Sequence, residues 1–210
     1  MSSVFEDKAV VLFQGDSITD AGRIREDGND LGRGYAMMAA SWFQALYPEK
    51  EVRFLNRGIG GNRTNDLPVR WQKDCLDLRP TWISVLIGIN DTWRRYDANS
   101  ITTVQDYEEA YRTLLERTRT TLNARFILCE PFVLPVAADR EAWREDLDPK
   151  IAVVRKLARE YGALLVPFDG IFAQAATLRS SAFWAADGVH PSPAGHALMA
   201  QTWLRAVKAL

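Results

Sequence analysis

Only two histidines, His190 and His196, occur in the 210 residues, so any imidazole that works as a base near neutral pH is one of these two. The segment Asp187-Gly188-Val189-His190 puts a carboxylate three residues before one ring. That spacing lets the acid fold back onto one ring nitrogen, fix the tautomer and leave the other nitrogen facing outward. A solvated loop histidine would have the same neighbours. His196 has no acid at that spacing and falls inside a helical pattern, which suits a packing or surface role. His190 is therefore the expected base. Far upstream, Gly15-Asp16-Ser17 follows an apolar run. Gly15 allows a sharp exit from a strand, which would hold the Ser17 hydroxyl at a sheet edge beside its own amide. A plain helix-capping turn would use the same residues. The stretch Asn56 to Asn62 carries Gly58, Gly60 and Gly61, able to bring a backbone N–H close to a ligand or simply to turn the chain. In Gly88-Ile89-Asn90-Asp91, Asn90 can offer its amide to an oxyanion or to the local backbone. Each segment alone is ambiguous, and the four together are far more specific.

Such groups need a scaffold that gathers them. Short apolar runs rich in β-formers alternate with helical patterns along the whole chain, which is the rhythm of βαβ units. The runs are Ala9 to Phe13, Val52 to Leu55, Trp82 to Ile87, Phe126 to Cys129 and Leu164 to Val166. Their near-continuous apolar character predicts five parallel strands covered on both faces. Helices are expected over Tyr35 to Tyr47 and over Leu67 to Leu78, the latter with Asp66 as N-cap and Pro68 in the first turn. Another carries Val104, Tyr107, Tyr111, Leu114 and Leu115 behind a capping box at Thr102-x-x-Gln105. Two more are expected from about Pro149 to Tyr161, stopping at Gly162, and from Pro193 to Ala209 behind Ser192. In an open parallel sheet, ligands sit beyond the carboxyl ends of the strands. The segments after the first three strands are those carrying Ser17, Gly58 to Gly61 and Asn90, so all should open onto one edge.

Length, composition and charge narrow the classes further. A chain of this size suits one domain over residues 1–210, with a core large enough to fold without metal or disulfide. With 26 Lys+Arg against 27 Asp+Glu and a net charge of -1, no global field attracts nucleic acid or an anionic membrane. Cys75 and Cys129 lack partners at metal-ligand spacing and read as buried free thiols. The first residues carry acids where a secretory signal would be basic, and no run approaches the ~20 apolar residues of a membrane helix. A soluble, cytoplasmic protein is expected.

Gly15-Asp16-Ser17, Gly61, Gly88-x-Asn90-Asp91 and Asp187-x-x-His190 match, in order and across nearly the whole chain, the four signature blocks of the SGNH hydrolases, also called GDSL esterases. The resemblance implies a flavodoxin-like three-layer α/β/α sandwich around the five-stranded parallel sheet. It makes Ser17 the nucleophile, His190 the general base and then acid, and Asp187 its orienting carboxylate. The implied oxyanion hole is the Ser17 amide, the Gly61 amide and the Asn90 side chain. Gly61 is preferred to Gly60 because the family pattern N-x-G-x-x-G, begun at Asn56, ends there. Asp16 and Asp91 have structural roles in the family rather than that of the catalytic acid. No cofactor or metal is implied.

Within the family, the stretches Gly15 to Arg23 and Gly88 to Asp97 look most like intracellular carbohydrate esterases that remove acetyl groups from xylo-oligosaccharides. An acetylated oligosaccharide is the expected partner. Asp16, Arg63, Trp93 and Trp184 are the residues expected to meet it, with Tyr96 and Arg57 beside them. The esterases of that kind carry Trp immediately before the catalytic Asp, where this chain has Ala186. Seven tryptophans suit core positions or subunit contacts, and a homo-oligomer is expected. A lysophospholipase or thioesterase of the same fold, acting on longer acyl chains, is the alternative enzyme. A flavodoxin-like module holding a phosphate at the Gly15 to Asp20 turn is the non-enzymatic one.

Overall fold

A computed structural model describes residues 3–210. Its five strands are β1 (Val10–Gly15), β2 (Arg53–Asn56), β3 (Trp82–Leu86), β4 (Arg125–Cys129) and β5 (Leu164–Val166). They form one fully parallel sheet in the order β2-β1-β3-β4-β5. The fold is thus the expected α/β one, with its strand order changing direction at β1/β3, where such sheets bind ligands. The helices are α1 (Ser17–Asp20), α2 (Tyr35–Leu46), α3 (Leu67–Asp74), α4 (Ile89–Asp97), α5 (Val104–Thr121), α6 (Ala138–Ala142), α7 (Arg144–Glu160), α8 (Phe168–Leu178), α9 (Ser181–Trp184) and α10 (Pro193–Ala206). Among the described residues, no helix is long and apolar enough to cross a membrane.

Strand alternation divides the core in two. Val11 and Phe13 point to a layer with Tyr35 and Phe43 of α2, Phe168 and Phe172 of α8, and Trp203 of α10. Leu12, Ile83 and Val85 point the other way, onto Trp71 of α3, Tyr107, Tyr111 and Leu114 of α5, and Leu157 of α7. Two of the buried indoles have hydrogen-bond partners: Trp71 donates to Thr118 Oγ1 at 3.0 Å and Trp203 to Ser84 Oγ at 3.0 Å. Such a bond contributes about 1 kcal/mol, and leaving the donor unmade would cost more. Cys75 and Cys129 are buried free thiols, and burial pushes the Cys129 thiol up to about 12.

Several local expectations are corrected. The capping box of α5 is Thr103 with Asp106, not Thr102 with Gln105. Thr103 Oγ1 accepts from Asp106 N–H at 3.1 Å while Asp106 accepts from Thr103 N–H at 3.3 Å, and Thr102 is buried. Asp66 makes no cap bond to α3; its carboxylate turns back to Arg63 N–H at 2.7 Å across a 3-10 turn. Residues 76–78 form a separate 3-10 turn rather than the end of α3. Helix α7 begins at Arg144, not Pro149, because Trp143, Leu147 and Ile151 continue its apolar stripe through the proline, which is exposed. The segment carrying Asn90, expected as a loop, is the first turn of α4, and α6, α8 and α9 were not expected at all. In α8 the spacing Phe168, Phe172, Ala175 is helical, but Pro167 and Gly170 break the pattern that would announce it.

Candidate active site

Residue 15 is glycine for a steric reason: a Cβ there would lie 2.3 Å from Leu86 O and 2.5 Å from Thr19 Oγ1. The chain leaves β1 under that constraint and enters α1, with Asp16 as N-cap accepting from Ile18 N–H at 3.0 Å. Ser17 is therefore the first helical residue, where an amide has no carbonyl behind it to bond within the helix. Its hydroxyl lies 3.0 Å from His190 Nε2. The other ring nitrogen, Nδ1, lies 2.6 Å from Asp187 Oδ2. Asp187 Oδ1 accepts from the N–H groups of Val189 and His190 at 2.9 and 2.8 Å, so the carboxylate is held against its ring partner. Burial raises the Asp187 carboxyl, but the bonds from the His190 ring and the two backbone N–H groups outweigh it and hold it below the usual carboxylate range. A serine hydroxyl, an imidazole and an ionised carboxylate in this chain can pass a proton from the hydroxyl to the ring as the oxygen attacks an electrophile.

The loop after β2 approaches the same edge and is held there from several directions. Gly60 N–H donates to Asp20 Oδ2 at 3.1 Å, and Arg25 braces the same oxygen at 2.7 Å. The Asn56 side chain donates to Thr19 O at 2.6 Å and accepts from Gly58 N–H at 2.8 Å. Asp91 accepts from Thr64 N–H at 3.0 Å, and Asn90 Nδ2 donates to Asn62 O at 3.1 Å, which leaves a second amide proton on Asn90. At residue 88, φ is +134° and a Cβ would meet Tyr107 Oη at 2.8 Å, so only glycine lets β3 turn into α4 here.

Arg70 of α3 gathers these pieces. Its guanidinium makes five hydrogen bonds: to Asn62 Oδ1 (2.8 Å), Gln14 Oε1 (3.0 Å), Arg57 O (2.8 Å), Asp74 Oδ2 (3.1 Å) and Gly15 O (3.2 Å). One side chain thus joins the end of β1 to the loop after β2. Sequence reading missed Arg70, since a lone arginine in a helix gives no sign of acceptors 55 and 56 positions away. It also missed Arg140, whose Nε donates to Asp187 O at 3.0 Å.

The residues expected at the substrate divide. Trp93 lies beside the site, its ring 5.9 Å from that of His190. Arg63 donates to Ser100 Oγ at 2.9 Å, in the segment between α4 and α5. Asp16 is 1% exposed, so its carboxylate shapes the turn and does not reach a substrate. Burial raises its carboxyl to about 7 against the bond from Ile18 N–H, and one of its oxygens has no partner. The Trp184 indole donates to Ala175 O at 3.1 Å and packs on Phe183, joining α9 to α8. His196 accepts from Tyr35 N–H at 3.1 Å through Nδ1 and is pushed down to about 4 by burial, so it is a neutral structural acceptor.

Residues 13–198 match the model of the GDSL-like Lipase/Acylhydrolase family. The chain is 37% identical over 205 residues to an acetylxylan esterase of Geobacillus stearothermophilus, covering 94% of this chain and 93% of that protein. The crystal structure of Axe2, an acetylxylan esterase from the same organism, superposes with a TM-score of 0.89 at 36% identity, over 96% of this chain and 94% of that one. LAE5, an alpha/beta hydrolase enzyme from the metagenome of Lake Arreo, superposes with a TM-score of 0.92 at 33% identity, over 100% and 99%. In two catalytic mutants of Axe2 a serine and an aspartate are replaced by alanine. Sheet, edge and relatives together define a carboxylic ester hydrolase. The chain belongs to the GDSL-like lipase/acylhydrolase family.

Proposed function

We propose that this esterase removes O-acetyl groups from carbohydrates such as xylo-oligosaccharides through an acyl-enzyme on Ser17. The observation that carries the reading is the continuous hydrogen-bonded chain Ser17 Oγ, His190 Nε2, His190 Nδ1 and Asp187 Oδ2. His190 takes the Ser17 proton as Oγ bonds to the ester carbonyl carbon, and the imidazolium is stabilised by Asp187. The tetrahedral oxyanion is held by the Ser17 amide, the Gly61 amide and the Asn90 side chain. Gly61 fits that role better than Gly60, whose N–H is already bonded to Asp20. Collapse expels the sugar alkoxide, which receives the proton from His190. Water, deprotonated by the same ring, then attacks the acyl carbon and releases acetate, returning the proton to Ser17.

The acetylated carbohydrate as substrate rests on the acetylxylan esterase relative, 37% identical over nearly the full length of both chains. A homo-oligomeric, cytoplasmic enzyme belongs to the same proposal and rests on the family resemblance. Acetate release from acetylated xylo-oligosaccharides and acetylated xylose, beside fatty-acid release from lysophospholipid, with Ser17→Ala as the blank, tests it. Release from the sugars is expected. A preference for octanoate over acetate among p-nitrophenyl esters, with no release from either sugar, overturns the deacetylase reading in favour of a longer-chain lipase.

A further inference from the structure

A buried ion pair lies behind the first turn of α4, outside the triad. Lys150, on α7, is fully buried, and its ammonium is bonded to the carboxylate of Asp146 one turn earlier. Asp146 is itself 6% exposed and sits in the first turn of α7, where the helix dipole favours a negative charge. Its carboxylate also accepts from α4, Oδ2 from the Thr92 hydroxyl at 2.8 Å and Oδ1 from Arg95 Nη1 at 3.2 Å. Thr92 is fully buried and stands two residues after Asn90. The same turn of α4 reaches forward to the chain just past Gly61: Asn90 Nδ2 donates to Asn62 O at 3.1 Å, and Asp91 accepts from Thr64 N–H at 3.0 Å. Burial raises the Asp91 carboxyl to about 6, while the bond from Thr64 and the nearby charge of Lys150 pull it down. Such an ion pair is a poor device for stability alone, because apolar side chains of similar volume in its place are often neutral or stabilising. What it supplies is direction: a charged acceptor on α7 that holds the Thr92 hydroxyl fixes the rotation of α4 about its axis. An oxyanion donor works by being in place before the charge develops, and a misplacement of about 1 Å can cost on the order of 10²-fold.

We propose that Asp146 and Lys150, acting through Thr92, are positioning residues for the oxyanion hole, holding the first turn of α4 so that Asn90 points at the developing oxyanion. The proposal rests on Asn90 as an oxyanion donor. Thr92→Val keeps the shape of the side chain and removes its bond to Asp146, so kcat on p-nitrophenyl acetate is expected to fall about tenfold with KM within about twofold. Placed on Asn90→Ala, the same substitution is expected to cost less than about twofold, because the donor that it positions is gone. Asp146→Leu combined with Lys150→Met removes both charges together and leaves neither unpaired. This double variant is expected to lower kcat at least as far as Thr92→Val while its midpoint in urea unfolding is kept or raised. Independent, multiplicative losses from Thr92→Val and Asn90→Ala overturn the positioning role, as does parental kcat in both Thr92→Val and the double variant. A loss of kcat that only follows a fallen midpoint marks a purely structural pair and overturns it too. Parental kcat in Asn90→Ala alone is a different failure: it removes Asn90 from the oxyanion hole, and the positioning role falls with that reading.

Discussion

The two halves of the active edge are built in opposite ways. On the serine side, Asp16, Asn56 and Asp91 are buried, and Arg70 stitches β1 to the loop after β2 through five bonds. On the histidine side, the Asp187 and His190 side chains are 40% and 47% exposed, and their loop is tied back chiefly by Leu134 N–H to Gly188 O at 2.8 Å and by Arg140. Donors that stabilise an oxyanion act by being in place before charge develops, which rewards rigidity. In the proposed mechanism the base serves first Ser17, then the leaving alkoxide, then water, which needs an orientation fixed at one nitrogen and access at the other. The rigid half rests on buried carboxyls whose charged form burial disfavours: Asp16 is raised to about 7 and Asp91 to about 6.

The largest effects should fall where the halves meet. Ser17→Ala and His190→Gln are each expected to lower kcat on p-nitrophenyl acetate by about 10⁶-fold, toward background. Wild-type rates in either would remove the acyl-enzyme mechanism. Asp187→Asn keeps the shape but favours the wrong tautomer, so kcat should fall by about 10⁴. On the rigid side, Asn90→Ala would remove one of the three proposed oxyanion donors and should cost about 10² to 10³ in kcat with little change in KM. A loss confined to KM would mean that Asn90 binds ground state only, and the contrast between the halves would fail.

Arg70 tests rigidity itself. Arg70→Ala leaves Asp74, Gln14 and three backbone or side-chain acceptors short of a donor, and a stability loss of about 3 kcal/mol is expected in urea unfolding. Arg70→Lys restores the charge but not the five-way fork, so it should recover part of the stability while kcat stays depressed. If the lysine variant is fully active, the fork does not position the oxyanion loop.

What the sequence discloses follows the same division. The Asp187-x-x-His190 pair is legible because a turn fixes it by local spacing, and Gly15 and Ser17 because a strand-to-helix turn imposes its own residue types. The strands are legible from apolar runs whose burial leaves no room for polar interruption. Arg70, Arg140 and the bond from Gly60 to Asp20 are not, because each joins residues 40 or more positions apart through contacts that only the folded sheet creates. Helix α4 hides for a related reason: Gly88 and Asn90 are turn residues by propensity, and the tertiary pressure of Tyr107 on Gly88 decides otherwise.

His196 lies in neither half, and the smallest effect on activity belongs to it. Its Nδ1 accepts the first free amide of α2, at Tyr35, and burial holds its ring down to about 4 against an ordinary value of 6.5. The unfolded chain therefore binds a proton between pH 6.5 and 4 that the folded chain refuses, so stability falls as pH drops through that window and levels off below it. The full shift corresponds to roughly 3 kcal/mol. His196→Gln keeps an acceptor for Tyr35 without a titrating ring, so its stability should be flatter than that of the parent from pH 6.5 to 4, while kcat at pH 7.5 changes less than about twofold. Chemical unfolding at stepped pH, run beside initial rates, reads both. A large loss of kcat in this variant would show that the exposed histidine does not work alone, and the assignment of the base to His190 by its Asp187 partner would have to be given up.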